Sequence, residues 1–321
     1  MGFFRFGLAA LVVASHMGIT FAGLNPGVSA VVVFYFLAGS VVARLWQRLG
    51  APGETAVKRF LVDRFWRIAP MYYFVLAVSF GALVAGAESY FLSGAPSFAV
   101  LAQNLLVLPL NYYMYSGVDT TTLIPPAWSL AVELQVYLLM PLLLLHRWAL
   151  LIALAASLVV FGLAQGPWLS ADVFGYRLLP GVLFVFLCGA LMASGIRSER
   201  RLAWVIWAGI CGFAAALFFA LPQWHAPFNR EVALGFAVGV PLVHGLALVR
   251  FKGPAYRANR YAGVLSYGVF LAHFPVIWLY ELALPTLATS FFAVLVGSAA
   301  VAGAGHVLVE KPLWRRFRAT L

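Results

Sequence analysis

The chain has 321 residues, of which 64% are hydrophobic and 10% are charged, and its mean hydropathy is +0.95. A soluble domain is about half apolar and about a quarter charged, so this composition excludes that class and indicates an integral membrane protein. The net charge is +11. In a chain this apolar, an excess of basic residues indicates membrane topology rather than nucleic-acid binding. Apolar runs of about 18 residues or more, without the alternating segments of a membrane barrel, predict an all-α, polytopic fold.

Ten apolar runs predict ten membrane-spanning helices. The first run is also compatible with a signal peptide, but its apolar part is long for a signal, and cleavage would discard its arginine and its histidine. We therefore interpret it as the first span. The predicted spans cover residues 3–22, 27–46, 69–87, 127–145, 148–165, 179–195, 202–221, 231–249, 261–281 and 287–309.

The connection 88–126 is too long to be a simple turn. Within it, residues 98–115 contain a short apolar-rich stretch that is interrupted by Gln103, Asn104 and Pro109. Such a stretch predicts an interfacial or re-entrant helix rather than an eleventh span.

Basic residues indicate the orientation of the chain in the membrane, because they concentrate in cytoplasmic loops. If the N-terminus is cytoplasmic, ten spans leave only Arg177 and Arg230, of the 21 lysines and arginines, on the far side. An additional span at 98–115 would invert every later loop and remove this asymmetry. We therefore predict that both termini are cytoplasmic, and we expect a single membrane domain over residues 1–321 without a fused soluble domain.

Arg5 and His16 stand at the two ends of ten apolar or small residues in the first span. The step between them turns an α-helix through about 1100°, close to three full turns, and rises about 16 Å. The two side chains therefore share one stripe, with Arg5 at the cytoplasmic mouth and His16 near or beyond mid-membrane. An ionised side chain at mid-membrane costs at least about 2.5–3.5 kcal/mol, so such residues should face the bundle interior and have partners.

Two further ionisable residues are predicted at a comparable depth. His273 lies about 20 Å along its helix from Arg260, and Glu133 lies about 9 Å into a helix that enters from the far side. Two imidazoles and a carboxylate at one depth can supply a base and the partner that orients it.

Each of these residues also has a purely structural interpretation. A membrane histidine often only forms hydrogen bonds between helices, and Glu133 could simply hold backbone groups in place. Arg64 and Arg67 could anchor the third span at the interface, while snorkelling explains His146 and His306 near the cytoplasmic helix ends. These residues alone do not separate an enzyme from a transporter or flippase, which also places ionisable groups along a membrane path.

Six motifs follow one another along the chain in an order typical of one family of membrane proteins. They are R-x10-H through Arg5 and His16; the glycine and aromatic motif GVSAVVVFYFLAGS; FLVDRFWRIAPMY with Arg64, Arg67 and Tyr72; PPAWSLAVELQVYLLMPLL with Trp128, Ser129, Glu133 and Tyr137; LSYGVFLAHFP with Ser266, Tyr267 and His273; and VEKPLWR with Glu310 and Pro312.

Through these motifs the whole chain resembles acyltransferase family 3, membrane enzymes that move acyl groups from acyl-CoA to hydroxyls of sugars, lipids and other acceptors. Tyr35 and Ala38 depart from the family pattern, in which phenylalanine and serine are more usual. The resemblance implies an acyl-CoA-dependent O-acyltransferase in a bacterial cytoplasmic (inner) membrane. Its donor would most often be acetyl-CoA and its acceptor a polysaccharide or lipid-linked glycan. Besides the lipid bilayer and these substrates, neither a metal nor a nucleic-acid partner is expected.

The resemblance also implies roles for individual residues. His16 is expected to act as the general base or to carry the acyl group itself, with direct transfer favoured, and Glu133 or His273 to orient or polarise. The competing interpretation remains transport or flipping of a polar or anionic substrate. The expected contacts of acyl-CoA at the cytoplasmic face are Arg5, Lys58, Arg59, Arg64, Arg67 and Tyr72, and the expected substrate-binding residues are Trp128, Ser129, Tyr137, Ser266 and Tyr267.

Overall fold

The computed structural model describes residues 1–49, 53–95, 97–220 and 228–317. These residues form helices and connecting turns, and their one β-type pairing is an isolated bridge between Phe21 and Leu24. The α-helices are α1 Gly2–His16, α2 Pro26–Arg48, α3 Glu54–Val84, α4 Phe98–Leu106, α5 Tyr113–Ser116, α6 Ala127–Leu145, α7 Arg147–Gln165, α8 Leu179–Ala193, α9 Arg197–Ala220, α10 Asn229–Leu248, α11 Gly253–Ala283, α12 Phe291–Gly305 and α13 Lys311–Phe317. Short 3-10 turns lie at Tyr90–Leu92, Leu108–Tyr112 and Val118–Thr121, and π-helical turns at Val173–Arg177 and His306–Glu310.

Within the described ranges, nine helices are long and apolar enough to cross a membrane, and α1 is a shorter apolar helix. Together they correspond to the ten predicted spans, so the all-α, polytopic fold is confirmed. The predicted bounds of the fourth and fifth spans agree with α6 and α7 to within a residue. Residue 221, the predicted end of the seventh span, and Arg318, one of the predicted cytoplasmic cations, lie outside the described residues.

Helix α1 ends earlier than its apolar run predicts. The predicted span continues to residue 22, but the helix stops at His16 and is followed by turns in which Gly18, Ala22 and Gly23 have positive φ. Glycine adopts this conformation without a steric penalty, so the two glycines stop the helix although the run remains apolar. The rise from Gly2 to His16 is therefore only about 21 Å.

Helices α3 and α11 are longer than predicted, at 31 residues each. Both gain their extra turns at the end where basic residues replace apolar ones. Hydropathy detects only the part of a helix that lipid surrounds, whereas helix propensity does not fall at lysine or arginine. Most of the connection 47–68, which the predicted spans leave between the second and the third, is thus the first part of α3 rather than a loop.

The long far-side connection is a series of short helices tied to α3. The carbonyl of Asn104 in α4 accepts a hydrogen bond from the hydroxyl of Tyr72 at 2.6 Å. The buried side-chain amide of Asn104 donates to the carbonyls of Val100 and Thr121 at 2.9 and 3.0 Å, and its oxygen accepts from the N–H of Leu123 at 2.9 Å. With nine residues, α4 is too short to cross a bilayer.

The chain divides into two compact units. The first comprises Met1–Gly18, Val62–Ala131 and Phe251–Leu321, and in it α11 packs between α1 and α12. The second comprises Ile19–Leu61 and Val132–Arg250, and in it α8 packs against α2, α7 and α9, while α10 packs on α2.

Helices α1 and α11 of the first unit pack in parallel. At their N-terminal ends, Gly2 lies so close to α11 that a Cβ would stand 1.6 Å from the carbonyl oxygen of Asn259, and the N–H of Phe3 donates to Asn259 Oδ1 at 3.0 Å. At their C-terminal ends, His16 contacts His273. Parallel packing requires an odd number of spans between the two helices, and the seven long apolar helices that the described residues form between them satisfy it. A crossing at 98–115 would make α11 antiparallel to α1, which the packing excludes.

The predicted orientation can be tested with single cysteines, in a chain where Cys188 and Cys211 are replaced by alanine. We expect Trp168→Cys, between α7 and α8, to react with a membrane-impermeant maleimide in intact spheroplasts. Ser198→Cys, in the first turn of α9, should react only in inverted vesicles. The reverse labelling pattern would overturn the cytoplasmic assignment of the termini.

Candidate active site

Two of the predicted catalytic residues meet at the end of α1. His16 Nδ1 lies 2.9 Å from His273 Nε2, and the two rings are nearly parallel, at an interplanar angle of 12°. His16 is exposed, whereas His273 is fully buried. The pair thus has one accessible imidazole supported by one that solvent does not reach.

The surroundings of His273 favour one tautomer of the pair. Its Nδ1 is buried and faces the backbone carbonyls of Val269 and Phe270, one turn earlier in α11, without a hydrogen bond of good geometry. Carbonyl oxygens repel a nitrogen lone pair, so the proton of His273 belongs on Nδ1. In this tautomer its Nε2 accepts a hydrogen bond from Nδ1–H of His16, which leaves the lone pair of His16 on Nε2, the arrangement that the predicted role of general base requires.

The local environment supports the same role for His16. It is the last residue of α1, where the partial negative charge of the helix dipole stabilises an imidazolium by about 0.3–1 kcal/mol. Phe274 packs against both imidazoles, with centroid distances of 4.9 Å, and Phe91 packs edge-on against Phe274 at 5.1 Å. An apolar wall therefore borders the one exposed side chain of the pair.

Arg5 lies on the same continuous helix as His16, so the predicted rise of about 16 Å between them holds. Its side chain is half-buried near the packed N-terminal ends of α1 and α11. The predicted stripe thus connects one end of the parallel helix pair to the other.

A second polar cluster surrounds a buried carboxylate. Arg67 Nη1 donates to Glu310 Oε1 at 2.9 Å, and His306 Nδ1 lies 2.7 Å from Glu310 Oε2. The guanidinium of Arg67 also lies over the rings of Tyr267 and Trp314, at 5.4 and 5.5 Å from their centroids. Cation–π contacts on two sides and an ion pair fix the guanidinium in one orientation.

The other predicted donor contacts lie along α3. Lys58 and Arg59 are exposed in its first turns, while Arg64 is buried and donates to the carboxylate of Asp63, with Nε at 3.1 Å. Tyr72 is also buried, and its hydroxyl is bound to the far-side connection. Among the predicted donor contacts that the structure describes on α3, Lys58 and Arg59 are the two whose side chains have no hydrogen-bond or ion-pair partner.

Glu133 and Tyr137 form a hydrogen-bonded pair one turn apart in α6, with the hydroxyl of Tyr137 donating to Glu133 Oε1. Both belong to the second unit. The expected meeting of Glu133 with the two histidines stays a prediction. Ser129 is buried and donates to the carbonyl of Pro126 at 3.0 Å, while Trp128 is half-buried in the first turn of α6.

The two remaining predicted substrate contacts lie on α11. The hydroxyl of Ser266 is buried and donates to the carbonyl of Gly263 at 2.9 Å. Tyr267 donates to the carbonyl of Ile68 at 3.3 Å, in addition to its ring contact with Arg67. Across the described ranges, no group of three or more His, Cys, Asp or Glu residues is placed to hold a metal ion.

Sequence reasoning missed the centre of the Arg67 cluster. Glu310 was noted only as part of a terminal motif, and His306 was attributed to snorkelling. Their four-residue spacing in the chain carried a usable signal, because residues i and i+4 face the same side of a helix. The signal was weak because a π-helical turn at His306–Glu310 changes the local period.

Comparisons with known proteins agree with this architecture. Residues 2–307 match the family model described as an acyltransferase domain. An uncharacterised protein of Aquifex aeolicus is 37% identical over 193 residues, which cover 58% of this chain and 86% of that protein. The peptidoglycan O-acetyltransferase OatA of Listeria monocytogenes is 24% identical over 313 residues, which cover 85% of this chain. The matched region spans about half, 49%, of the Listeria enzyme's length. No solved structure matches the chain significantly.

The chain is helical and polytopic, and its sequence matches this acyltransferase family model over nearly its whole length. These two findings place it in the class of multi-pass membrane acyltransferases. The chain belongs to the acyltransferase family that the sequence motifs had indicated.

The ion pair of Arg67 gives a stability prediction. Glu310→Ala leaves Arg67, whose side chain is 19% exposed, without its anion. We expect the free energy of unfolding to fall by about 3 kcal/mol. The matched control is Asp172→Ala, since Asp172 pairs with Arg177 but its side chain is 36% exposed, and its loss should be about 0–1 kcal/mol. The measurement is the thermal unfolding midpoint of each variant in the same detergent. Equal midpoints for the two variants would contradict the prediction.

Proposed function

We propose that this protein is an integral membrane O-acyltransferase that transfers an acyl group, in the first instance acetyl, from acyl-CoA to a hydroxyl of a sugar, polysaccharide or lipid-linked glycan. The observation that carries the proposal is the histidine pair, in which exposed His16 contacts buried His273 at 2.9 Å. Family membership supports the reaction class. The name of the Listeria relative, a peptidoglycan O-acetyltransferase, supports a glycan acceptor.

The chemical step follows from the tautomer of the pair. His16 Nε2 accepts the proton of the acceptor hydroxyl while that oxygen attacks the thioester carbonyl. The carbon–sulfur bond breaks, the thiolate of CoA leaves, and the proton on His16 is returned to sulfur. His273 Nε2 accepts a hydrogen bond from Nδ1–H of His16. This bond holds the ring of His16 and stabilises the imidazolium that His16 becomes during transfer. Direct transfer of this kind needs no acylated histidine.

The donor is proposed to bind from the cytoplasmic face. Lys58 and Arg59 are exposed in the first turns of α3, which the charge asymmetry predicts on the cytoplasmic side. Cations of this kind bind phosphates through charge-assisted hydrogen bonds. Arg5 begins a stripe that reaches His16 about 16 Å further on, which suits an extended carrier arm. The apolar wall formed by Phe274 and Phe91 borders the position of the thioester in this arrangement.

The acceptor is proposed to approach from the far side of the membrane or from the lipid. His16 is the last residue of α1, and the chain after it is exposed from Gly18 to Gly23. Donor and acceptor would then reach the base from opposite faces, and neither has to pass the other. Glu133, which is bound to Tyr137, is proposed to orient or polarise, the role that the motif resemblance implies.

Substitution of the histidines tests the catalytic assignment. With purified protein, labelled acetyl-CoA and a cell-envelope glycan acceptor, His16→Ala should lower transfer by about 10²–10⁴-fold, as expected when a general base is removed. His273→Gln keeps an acceptor for Nδ1–H of His16, so it should retain more activity than His273→Leu.

The matched control for these variants is His146→Ala, because His146 is exposed before α7 and belongs to the second unit, whereas His16 and His273 belong to the first. It should transfer acetyl at the wild-type rate. Undiminished transfer by His16→Ala would remove His16 from the role of base, and equal activity of the two His273 variants would remove the hydrogen bond from the mechanism.

Binding of the donor is tested separately from transfer. We expect the double variant Lys58→Ala, Arg59→Ala to weaken binding of acetyl-CoA about tenfold or more. Arg200→Ala, which removes an exposed cation at the start of α9, should leave binding unchanged. 3′-Dephospho-CoA should bind the wild type more weakly than CoA does. If the double variant binds acetyl-CoA as tightly as the wild type, these two residues are not its phosphate contacts.

A further inference from the structure

A cavity of about 220 Å³ lies in the second unit, where five helix ends meet. It is formed by the last turns of α2, α6 and α8 and the first turns of α7 and α9. Nothing in the proposed reaction uses it. Its polar lining consists of Gln47, Arg147, Ser194, Ser198 and Glu199, beside the indole of Trp46.

The cavity carries two opposite charges that do not neutralise each other. In the described part of the chain, neither Arg147 nor Glu199 has an ion-pair or hydrogen-bond partner for its side chain. Arg147 is exposed and Glu199 is half-buried. A cation and an anion on one cavity wall are complementary to a ligand that itself carries both charges.

The position of the cavity indicates where that ligand comes from. All five helix ends are those that the distribution of basic residues assigns to the cytoplasmic side. Trp148, next to Arg147, is 77% exposed, as expected for an aromatic residue at the level of the lipid headgroups. The remaining wall is apolar, with Leu144, Leu151 and Leu202 among its residues.

The size of the cavity narrows the ligand further. Small-molecule pockets commonly measure about 300–1,000 Å³, so about 220 Å³ suits a compact headgroup better than a nucleotide. The apolar wall then offers a surface to the first part of an acyl chain. We propose that this cavity binds the headgroup of a zwitterionic aminophospholipid of the cytoplasmic leaflet, with Arg147 on its phosphate and Glu199 on its primary ammonium group.

Each charge makes a separate contribution to this recognition. Arg147 binds the phosphate that all phospholipids share, and Glu199 distinguishes an ammonium headgroup from an uncharged one. Removing Arg147 should therefore weaken binding of all phospholipids to the cavity. Removing Glu199 should abolish only the preference for ammonium headgroups. The site is independent of the histidine pair and of the donor contacts on α3.

Native mass spectrometry of the purified full chain tests the proposal, with short-chain phosphatidylethanolamine and phosphatidylglycerol as probes. The wild type should retain phosphatidylethanolamine at least about fivefold better than phosphatidylglycerol. Glu199→Gln should remove that preference, and Arg147→Gln should lower retention of both lipids about tenfold. Arg200→Gln and Glu54→Gln, at exposed positions outside the cavity lining, should behave as the wild type.

Two results would overturn the proposal. One is a wild type that retains phosphatidylglycerol as well as, or better than, phosphatidylethanolamine. The other is an unchanged lipid preference in Glu199→Gln together with unchanged retention in Arg147→Gln. Acetyl transfer is a separate readout, so its loss or survival does not decide between these outcomes.

Discussion

The parallel packing of α1 on α11 is the constraint on which the candidate site depends. His16 is fourteen positions after Gly2, and His273 is fourteen positions after Asn259, so the two helices are joined at both ends in one register. Fourteen positions are two heptads, and after two heptads a helix presents nearly the same face to its partner helix. A side chain larger than hydrogen at position 2 would push the N-terminal ends apart and change the angle at which the two imidazoles meet. Backbone contact at one end thus controls ring geometry at the other.

Three buried polar side chains inside the helical units, those of His273, Glu310 and Asn104, occur in partnered sets. His273 is buried and bound by His16, Glu310 is buried between Arg67 and His306, and Asn104 satisfies three backbone groups of the far-side connection. Hydrocarbon offers no alternative partners, so each set links distant parts of the chain. Arg67 and His306 share Glu310 as an ion-pair partner and Trp314 as a ring contact. These sets give the membrane domain specificity that its apolar contacts alone do not provide.

The sequence predicted most of the fold because hydropathy and charge asymmetry report the two strongest constraints on a membrane chain. It also predicted a similar depth for His16 and His273, since helical rise gives the position of each along its helix, whereas their contact is seen only in the structure. It overestimated α1 because the apolar run continues past the glycines that end the helix. It assigned Arg67 to the donor without its partner, because contact between α3 and the turn before α13 is a long-range feature that no local pattern encodes. The roles of Glu133 and the substrate contacts remain predictions for the same reason.

The short length of α1 has a consequence for the solvent around His16. A helix that rises about 21 Å does not cover a hydrocarbon layer of about 30 Å. The turns after His16, exposed from Gly18 to Gly23, have backbone groups that hydrocarbon cannot satisfy, so they require a wet recess or a locally thinned bilayer. Under the proposed mechanism, water in that recess competes with the acceptor as a nucleophile. Hydrolysis of the thioester would then be avoided only if His16 aligns with the carbonyl when the acceptor, rather than water, fills the recess, so the order of substrate arrival would determine fidelity.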